Sequence, residues 1–467
     1  MKVNDIRSQG KHNCLLNGAV LLVIAVAAWL MFPAHGPIGT RNMLVLNLVY
    51  GVGTLWFMWA LEKYAAMITG LYEKIVSSTL AAVYMLAVMV LLNLSLFGDW
   101  FRLVHDAVLT LVSIGCLAGE DVLLEQYNAG HFRLPRLLII DYGSHNFWRM
   151  KRIKYGVLKQ YDAWYEDVGS SDPDSFQSFV DRTFPKFDAI CVLNGFPLEE
   201  YHIAVSRATE LNKELFIVPE MIDAGKTNAK IVHLDDILTL YMPKAEISRA
   251  ELFAKRCMDI LLAGVGLLVA LIPIGAIALA IKLTSPGPII YRQTRCTKGK
   301  REFQIYKFRT MIPDAEKFSG PKFAEKDDPR ITPVGKVLRS LRLDELPQLV
   351  NILKGEMSVV GPRPERPEFI RQFEKSIERY NDRFLVKAGL TSLSHVYGRY
   401  STYIHDRTYY DLFYITNYSL LLDLKIILLT TKTLFLKSAA EGEDQYKEKT
   451  VAAAGKGDYS NENAKSR

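Results

Sequence analysis

The stretch KRCMDILLAGVGLLVALIPIGAIALAIKL, Lys255–Leu283, is long and apolar enough to enter a bilayer, yet it carries a proline in its middle. Proline at position 273 removes a helical hydrogen bond and crowds the preceding turn, at a cost of about 3 kcal/mol, so the run should bend there. Basic residues flank both ends, Lys255 and Arg256 before it and Lys282, Arg292, Arg295 and Lys298 after it. A helix that crossed would carry those later cations to the far side. One that dips in at Pro273 and returns, over residues 257–283, keeps both clusters at one layer of headgroups. The flanks favour the dip, although proline-kinked spans leave crossing open on these grounds.

Upstream, four further apolar runs crowd the first quarter of the 467 residues: Cys14–Phe32, Met43–Ala60, Ile75–Phe97 and a weaker one, Phe101–Leu117, that contains His105 and Asp106. They predict a four-helix transmembrane domain over 1–125. Lys2, Arg7, Lys11, Lys63 and Lys74 alternate with sparsely basic loops, and Arg133, Arg136, Lys151, Arg152 and Lys154 follow the fourth run. That distribution puts the N-terminus and everything past residue 120 on the cytoplasmic side. His105 and Asp106 are expected to be packing residues of the bundle interior.

Residues 130–245 read as a soluble α/β unit, with strands at Leu137–Asp141, Ala189–Leu193 and Leu215–Pro219 and a helix near Glu199–Leu211. The alternation suggests a Rossmann-like parallel sheet. Its first turn, Asp141-Tyr142-Gly143-Ser144-His145-Asn146, has one glycine where a dinucleotide site needs three, so a regulatory, docking or dimerisation role is expected. Residues 245–255 form a charged connector, and 438–467, poor in large apolar residues, should be disordered.

The chain has 57 Lys and Arg against 50 Asp and Glu, a diffuse excess of +7 that suits contact with anionic lipid or phosphate. No basic block with interleaved aromatics marks a nucleic-acid binder. Five scattered cysteines, Cys14, Cys116, Cys191, Cys257 and Cys296, form no CxxC pair, which argues against disulfides and structural zinc and suggests buried packing residues.

The densest chemistry lies downstream of the proline-containing run. Ser285-Pro-Gly-Pro288 is a rigid turn into a strand at Ile289–Gln293, and a second strand at Phe303–Phe308 leads to Arg309-Thr310-Met311. Thr332-Pro333 should start a helix carrying Lys336 and Arg339, with threonine as N-cap and proline in the first position. Asp344 and Glu345, before Pro347, should open the next helix, ending near Lys354-Gly355, and the helix dipole should hold both ionised. Ionised carboxylates can bind Mg²⁺ or attack phosphorus, or can simply cap the helix. Arg339 and the run Gly361-Pro-Arg363-Pro-Glu-Arg366, before a helix at Pro367–Tyr380, suit phosphate oxygens. They could equally serve as partners of the carboxylates.

Several motifs in one order then point to a family. Lys255-Arg-x-x-Asp259, Ser285-Pro-Gly-Pro288, Lys307-Phe-Arg309-Thr-Met311, Asp328-Pro-Arg-Ile-Thr332, Leu343-Asp-Glu-Leu-Pro-Gln-Leu349, Lys354-Gly-Glu-Met-Ser358 and Gly361-Pro-Arg-Pro364 resemble the bacterial sugar transferases, the polyprenyl-phosphate glycosylphosphotransferases. Lys387-Ala-Gly-Leu-Thr391, Tyr397-Gly-Arg399 and Asp423-Leu-Lys-Ile426 extend the resemblance over about 249–437. It implies a mainly helical, monotopic catalytic domain with a re-entrant helix broken at Pro273, in a multi-pass protein of the bacterial inner membrane. It also implies transfer of a sugar 1-phosphate from a UDP-sugar to polyprenyl phosphate, with Mg²⁺ and a covalent aspartyl-phosphosugar intermediate, at the start of exopolysaccharide, capsule or O-antigen assembly. By position, Asp344 matches the nucleophile and Glu345 its partner, the pair holding the metal. Arg339, Arg363, Arg309 and Lys307 match phosphate-binding residues. Membrane lipid is an implied partner, and a homodimer is compatible with the pattern.

Two departures stand out. Ile272 replaces a common serine beside the proline, and Ser392 and Ser394-His395 replace a glycine and Ala-Gln in the 391–397 loop. The competing readings are a catalytically degenerate membrane scaffold or regulator, which the intact Asp344-Glu345 pair disfavours, and a polytopic transferase, disfavoured by the lack of a DDxxD run. The sugar is not identified by sequence; the loops 319–326 and 391–407 are candidate determinants by position and composition.

Overall fold

A computed structural model describes residues 2–3, 6–31, 40–64, 70–96, 100–142, 161–169, 173–193, 195–218, 230–234, 237–241, 247–312, 328–398 and 404–435. The expected tail at 438–467, the loop 319–326 and the turn Gly143–Asn146 lie outside them. The chain forms two compact units, Met1–Asp223 and Ala224–Arg467.

The first unit opens with four apolar helices, α1 (Ile6–Met31), α2 (Thr40–Ala60), α3 (Leu71–Leu96) and α4 (Trp100–His131). Each sequential pair packs together and α4 returns to α1, closing a bundle. Leu22, Val23, Leu91, Leu94 and Leu111 point outward, as an apolar solvent requires. The fourth helix runs well beyond the expected Leu117, because Glu120 and Asp121 are met inside the bundle: Asn17 donates to Glu120 at 2.6 Å and Lys63 pairs with Asp121 at 3.0 Å. His105 and Asp106 are buried, and Asp106 pairs with Arg102 one turn earlier at 3.1 Å, in keeping with the expected packing role. The five cysteines are free thiols; Cys191 and Cys296 are buried, whereas Cys116 and Cys257 are exposed, contrary to the expectation of burial.

The α/β part of this unit is a parallel four-stranded sheet. Its strands β1 (Arg136–Asp141), β2 (Asp162–Asp167), β3 (Ala189–Val192) and β4 (Glu214–Ile217) are ordered β2-β1-β3-β4. Strand alternation sends Leu138, Ile140, Ile190 and Val192 to one face, against Phe176, Val180, Ala204 and Ala208 of helices α5 (Pro173–Thr183) and α6 (Leu198–Glu210). Leu137, Ile139, Ala189 and Cys191 fill the other face with Tyr161 and Ala163. Strand β2, Asp-Ala-Trp-Tyr-Glu-Asp, escaped the sequence reading because its polar residues mask the edge strand they form.

The second unit begins with an antiparallel hairpin, β5 (Lys230–Leu234) and β6 (Ile237–Tyr241). Helix α7 (Arg249–Thr284) follows, opened by a reciprocal Ser248–Glu251 capping box. It continues through Pro273 for 36 residues, about 54 Å at 1.5 Å per residue. Leu268, Val269, Leu271, Ile272, Leu279 and Leu283 are more than half exposed, an apolar surface that water would not tolerate. The protein is therefore a membrane protein with four N-terminal apolar helices and one further long one.

The first turns of α7 are clamped to the rest of the unit. Lys255 Nζ donates to Asp423 at 2.7 Å, to the Val360 carbonyl at 2.9 Å and to Tyr414 at 3.2 Å. Asp259, one turn on, accepts from Ser358 Oγ at 2.9 Å and from the Val359 amide at 2.8 Å. Arg256 donates to the Ile352 and Leu353 carbonyls at 2.6 and 2.8 Å, at the end of helix α9 (Gln348–Lys354). Around this clamp lies a core of Ala263, Ile352, Met357, Val360, Tyr414, Ile415 and Ile426.

The remaining elements are the antiparallel pair β7 (Ile290–Cys296) and β8 (Glu302–Phe308), helix α8 (Pro333–Ser340), a parallel pair β9 (Ser358–Val360) and β10 (Gly389–Thr391), and helices α10 (Pro367–Ser376), α11 (Leu393–Tyr397), α12 (Ile404–Thr416) and α13 (Leu420–Phe435). Helix α10 is shorter than expected, because residues 380–385 turn into a 3₁₀ segment. Gly361 and Gly389 let the β9–β10 crossing close: a Cβ on either would strike the backbone of the other segment.

Candidate active site

The Asp344-Glu345 pair is carried by one turn. Thr332 caps α8 by accepting from the Gly335 amide at 3.0 Å with Pro333 behind it, as expected. The helix stops at Arg342, which adopts φ +54°, and residues 343–345 form a 3₁₀ turn before α9. The carboxylates therefore do not open an α-helix. Pro347 caps α9 instead, and the left-handed Gly355 ends it where expected.

The loss of that helix start changes the electrostatics. Asp344 is not held ionised by a helix dipole: burial, and then the charge of Glu345, push its carboxyl above the usual range, against Lys307 and Arg339. For Glu345 burial acts the same way, but Lys307 and Arg363 outweigh it and hold the group well below the usual carboxylate range. Lys307 Nζ reaches Glu345 Oε1 at 2.7 Å and Arg363 Nη2 reaches the same oxygen at 3.0 Å. Strand β8 supplies the lysine and the segment after β9 the arginine.

Arg339 lies near enough to act on Asp344, and its Nε donates to Thr310 Oγ1 at 2.9 Å. Gly335 makes this approach possible, since a Cβ there would strike the Thr310 carbonyl. Arg309 does not join the acidic pair. Its Nη2 donates to Ser285 Oγ at 2.6 Å and to the Ser285 carbonyl at 2.9 Å, at the end of α7, while Nε and Nη1 are buried without a partner among the described residues. Pro273 also stands apart, deep in α7. Of the sequence candidates, the structure gathers Lys307, Arg339, Asp344, Glu345 and Arg363.

Two features were missed by the sequence reading. Arg383 donates to the Arg363 carbonyl at 3.0 Å, to Tyr380 at 2.7 Å and to Asp411 at 2.8 Å, fixing the backbone of the arginine that grips Glu345. Burial raises Asp411 to about 6 despite Arg383. The only signal was a lone acid inside Tyr-Tyr-Asp411-Leu-Phe-Tyr. The second is His395, noted as a departure but given no role. Its ring nitrogens are buried and unpartnered among the described residues, and burial, then Arg363 and Arg342, drive its pKa well below the usual value. The imidazole is neutral at pH 7.

Among the described residues no cluster of three or more acidic, histidine or cysteine side chains could hold a metal. The fit for Mg²⁺ is nonetheless good, since this ion commonly takes one or two carboxylates and completes its shell with substrate phosphates and water. The mutual repulsion of Asp344 and Glu345 is what such a cation relieves.

Residues 250–437 match the family model described as bacterial sugar transferase. A UDP-glucose:undecaprenyl-phosphate glucose-1-phosphate transferase of Xanthomonas campestris pv. campestris is 38% identical over 428 residues, 88% of this chain and 85% of the relative. The chain belongs to the bacterial sugar transferase family. A UDP-N-acetylgalactosamine-undecaprenyl-phosphate N-acetylgalactosaminephosphotransferase of Aeromonas hydrophila is 34% identical over 315 residues, 65% of this chain and 68% of the relative. A putative undecaprenyl-phosphate N-acetylgalactosaminyl 1-phosphate transferase of Bacillus subtilis is 50% identical over 139 residues, covering 30% of this chain and 77% of the relative. The gathered residues of this family member all lie inside the matched region.

Proposed function

We propose that this sugar transferase moves a hexose 1-phosphate from a UDP-sugar to undecaprenyl phosphate, releasing UMP, as the first membrane step of exopolysaccharide, capsule or O-antigen repeat-unit assembly. The observation that carries the reading is the buried Asp344-Glu345 turn with Lys307 and Arg363 closed on Glu345 Oε1. Glu345 is fixed by two cations, whereas Asp344 lies beside it with a raised carboxyl, the less stabilised and more reactive member of the pair.

Asp344 attacks the β-phosphorus of the donor, forming an acyl phosphate to the sugar phosphate and breaking the bond to UMP, which leaves. The lipid phosphate oxygen then attacks the same phosphorus and frees Asp344. Arg339 and Arg363 offset charge on the phosphoryl oxygens as it builds. Mg²⁺ held by Asp344 and Glu345 would neutralise the diphosphate and favour the ionised nucleophile. The sugar is a hexose or an N-acetylhexosamine, after the named substrates of the relatives.

The arrangement in the membrane belongs to the same proposal. Residues 1–125 cross the inner membrane four times, 130–245 form a Rossmann-like cytoplasmic domain, and 249–437 form the catalytic domain. Helix α7 bends at Pro273 and returns to the cytoplasmic face; the exposed apolar residues around Ile272 and the basic residues at both ends support this.

The test uses purified full chain with Mg²⁺, undecaprenyl phosphate and a panel of UDP-hexoses and UDP-N-acetylhexosamines. Wild type should release UMP and retain sugar label on the polypeptide when lipid is withheld. Asp344→Asn should lose at least about 10³-fold in turnover and all bound label. Labelling that survives in Asp344→Asn removes this residue as nucleophile.

A further inference from the structure

A groove separate from the Asp344 turn lies where α7 hands the chain to β7. It is lined by Pro288, Ile289, Ile290, Tyr291, Arg292 and Arg309. Its walls are mainly apolar, and its inner wall carries the unsatisfied guanidinium described above: Arg309 is only 6% exposed, yet Nε and Nη1 have no partner among the described residues. A buried cationic donor left unpaired is costly, so an anion is the natural complement. Arg292, exposed at the rim, lies over the Tyr306 ring, 5.5 Å from its centroid.

The groove begins four residues after the end of the apolar helix. The hairpin connects it to the chemistry. Tyr291 pairs with Lys307 across β7 and β8, and the ladder continues one step further, where the Arg309 amide donates to the Ile289 carbonyl at 2.9 Å. Lys307 and Arg309, two residues apart, therefore leave the same face of the strand with a spacing of about 7 Å. One end of this short row grips Glu345 and the other faces the groove.

We propose that this groove is the seat of the lipid acceptor, with the first isoprene units of a polyprenyl phosphate against Ile289, Ile290 and Tyr291 and its phosphate on Arg309. The inference rests on the transferase reading and deepens it, by separating an acceptor seat from the arginines that serve the donor. A ligand with an apolar stem and a compact dianionic head matches both the lining and the charge.

The two half-reactions separate the claims. Full chain in phosphatidylcholine nanodiscs is tested as Arg309→Gln and as the gentler Tyr291→Ser, which alters an exposed groove residue. The apparent KM for undecaprenyl phosphate should rise about tenfold in Arg309→Gln and about threefold in Tyr291→Ser, in each case a larger change than that of the UMP burst from UDP-sugar without acceptor. An unchanged acceptor KM in both, or a burst slowed as much as the overall reaction, overturns the proposal. So does equal suppression of transfer by phosphatidylglycerol and by a non-reactive polyprenyl phosphonate, because the groove would then be a general headgroup seat. Native mass spectrometry of undecaprenyl phosphate retained by wild type and Arg309→Gln reads binding without turnover. If wild type releases no UMP with any donor yet retains the lipid in an Arg309-dependent manner, the transferase reading falls and the lipid seat stands.

Discussion

Lys255 makes three hydrogen bonds inside the protein, and its carboxylate partner Asp423 is fully buried. Lys255→Met leaves Asp423 uncompensated and should destabilise the catalytic unit by about 3–5 kcal/mol, read as a fall in midpoint in a detergent-compatible unfolding assay. Lys255→Met with Asp423→Leu should recover much of that loss, because removing both charges removes the desolvation cost as well. Asp411 gives a pH signature. Its folded pKa, about 6, lies above the usual carboxylate value, so its contribution to stability is complete below about pH 4 and is lost as pH rises through 6. Turnover should move the other way, falling below pH 6 as the protonated acid releases Arg383 and, through it, the Arg363 backbone. Asp411→Asn should flatten the stability change between pH 4.5 and 7.5 relative to wild type, measured by thermal unfolding at matched ionic strength. Asp344, Glu345 and Arg363 were legible in the sequence because their types and clustering point to phosphate chemistry. Arg383–Asp411 was not, because 28 residues separate the partners and only the folded backbone joins them.

Strands and helices were readable where a local rule governs them. Thr332-Pro333 fixes the start of α8, Gly355 the end of α9, short continuous apolar runs fix β1 and β3, and alternation fixes β8. The reading failed where tertiary contacts decide. The three-residue strands β9 and β10 are too short to show a period, and the turn at 343–345 is set by the left-handed Arg342, a residue type with no preference for that conformation. Gly335 gives an element-scale prediction. Gly335→Ala places a methyl against the Thr310 carbonyl, pushing α8 away from the segment that holds Arg339. Overpacking of this kind should cost about 1–3 kcal/mol and at least about tenfold in kcat, since Arg339 moves relative to Asp344. Thermal unfolding and UMP-release kinetics on the same preparation measure both.

For the molecule as a whole, composition announced a membrane protein, and the order of apolar runs, α/β region and motif-rich end was readable before any coordinates. The clamp of α7 onto the β9 and α13 segments was not, although Lys255-Arg-x-x-Asp259 already spaced its two anchors one turn apart. The family match begins at residue 250. A chain beginning at residue 247 should accordingly keep membrane association and UMP release within about tenfold of full length. Radiolabelled product from matched detergent preparations measures this.

Lys255 and Asp259 sit on the early turns of α7 and grip the catalytic core about 6 Å apart along the axis, close enough to suppress pivoting between them. The apolar helix and the reactive turn are consequently geared together like an oar in its rowlock. Where the acyl chains are longer or shorter, the inclination that the helix must take changes, and the height at which the carboxylates ride above the lipids changes with it. Turnover is therefore expected to vary with bilayer thickness, a dependence transmitted by two charged side chains and read as UMP release in nanodiscs of different acyl length.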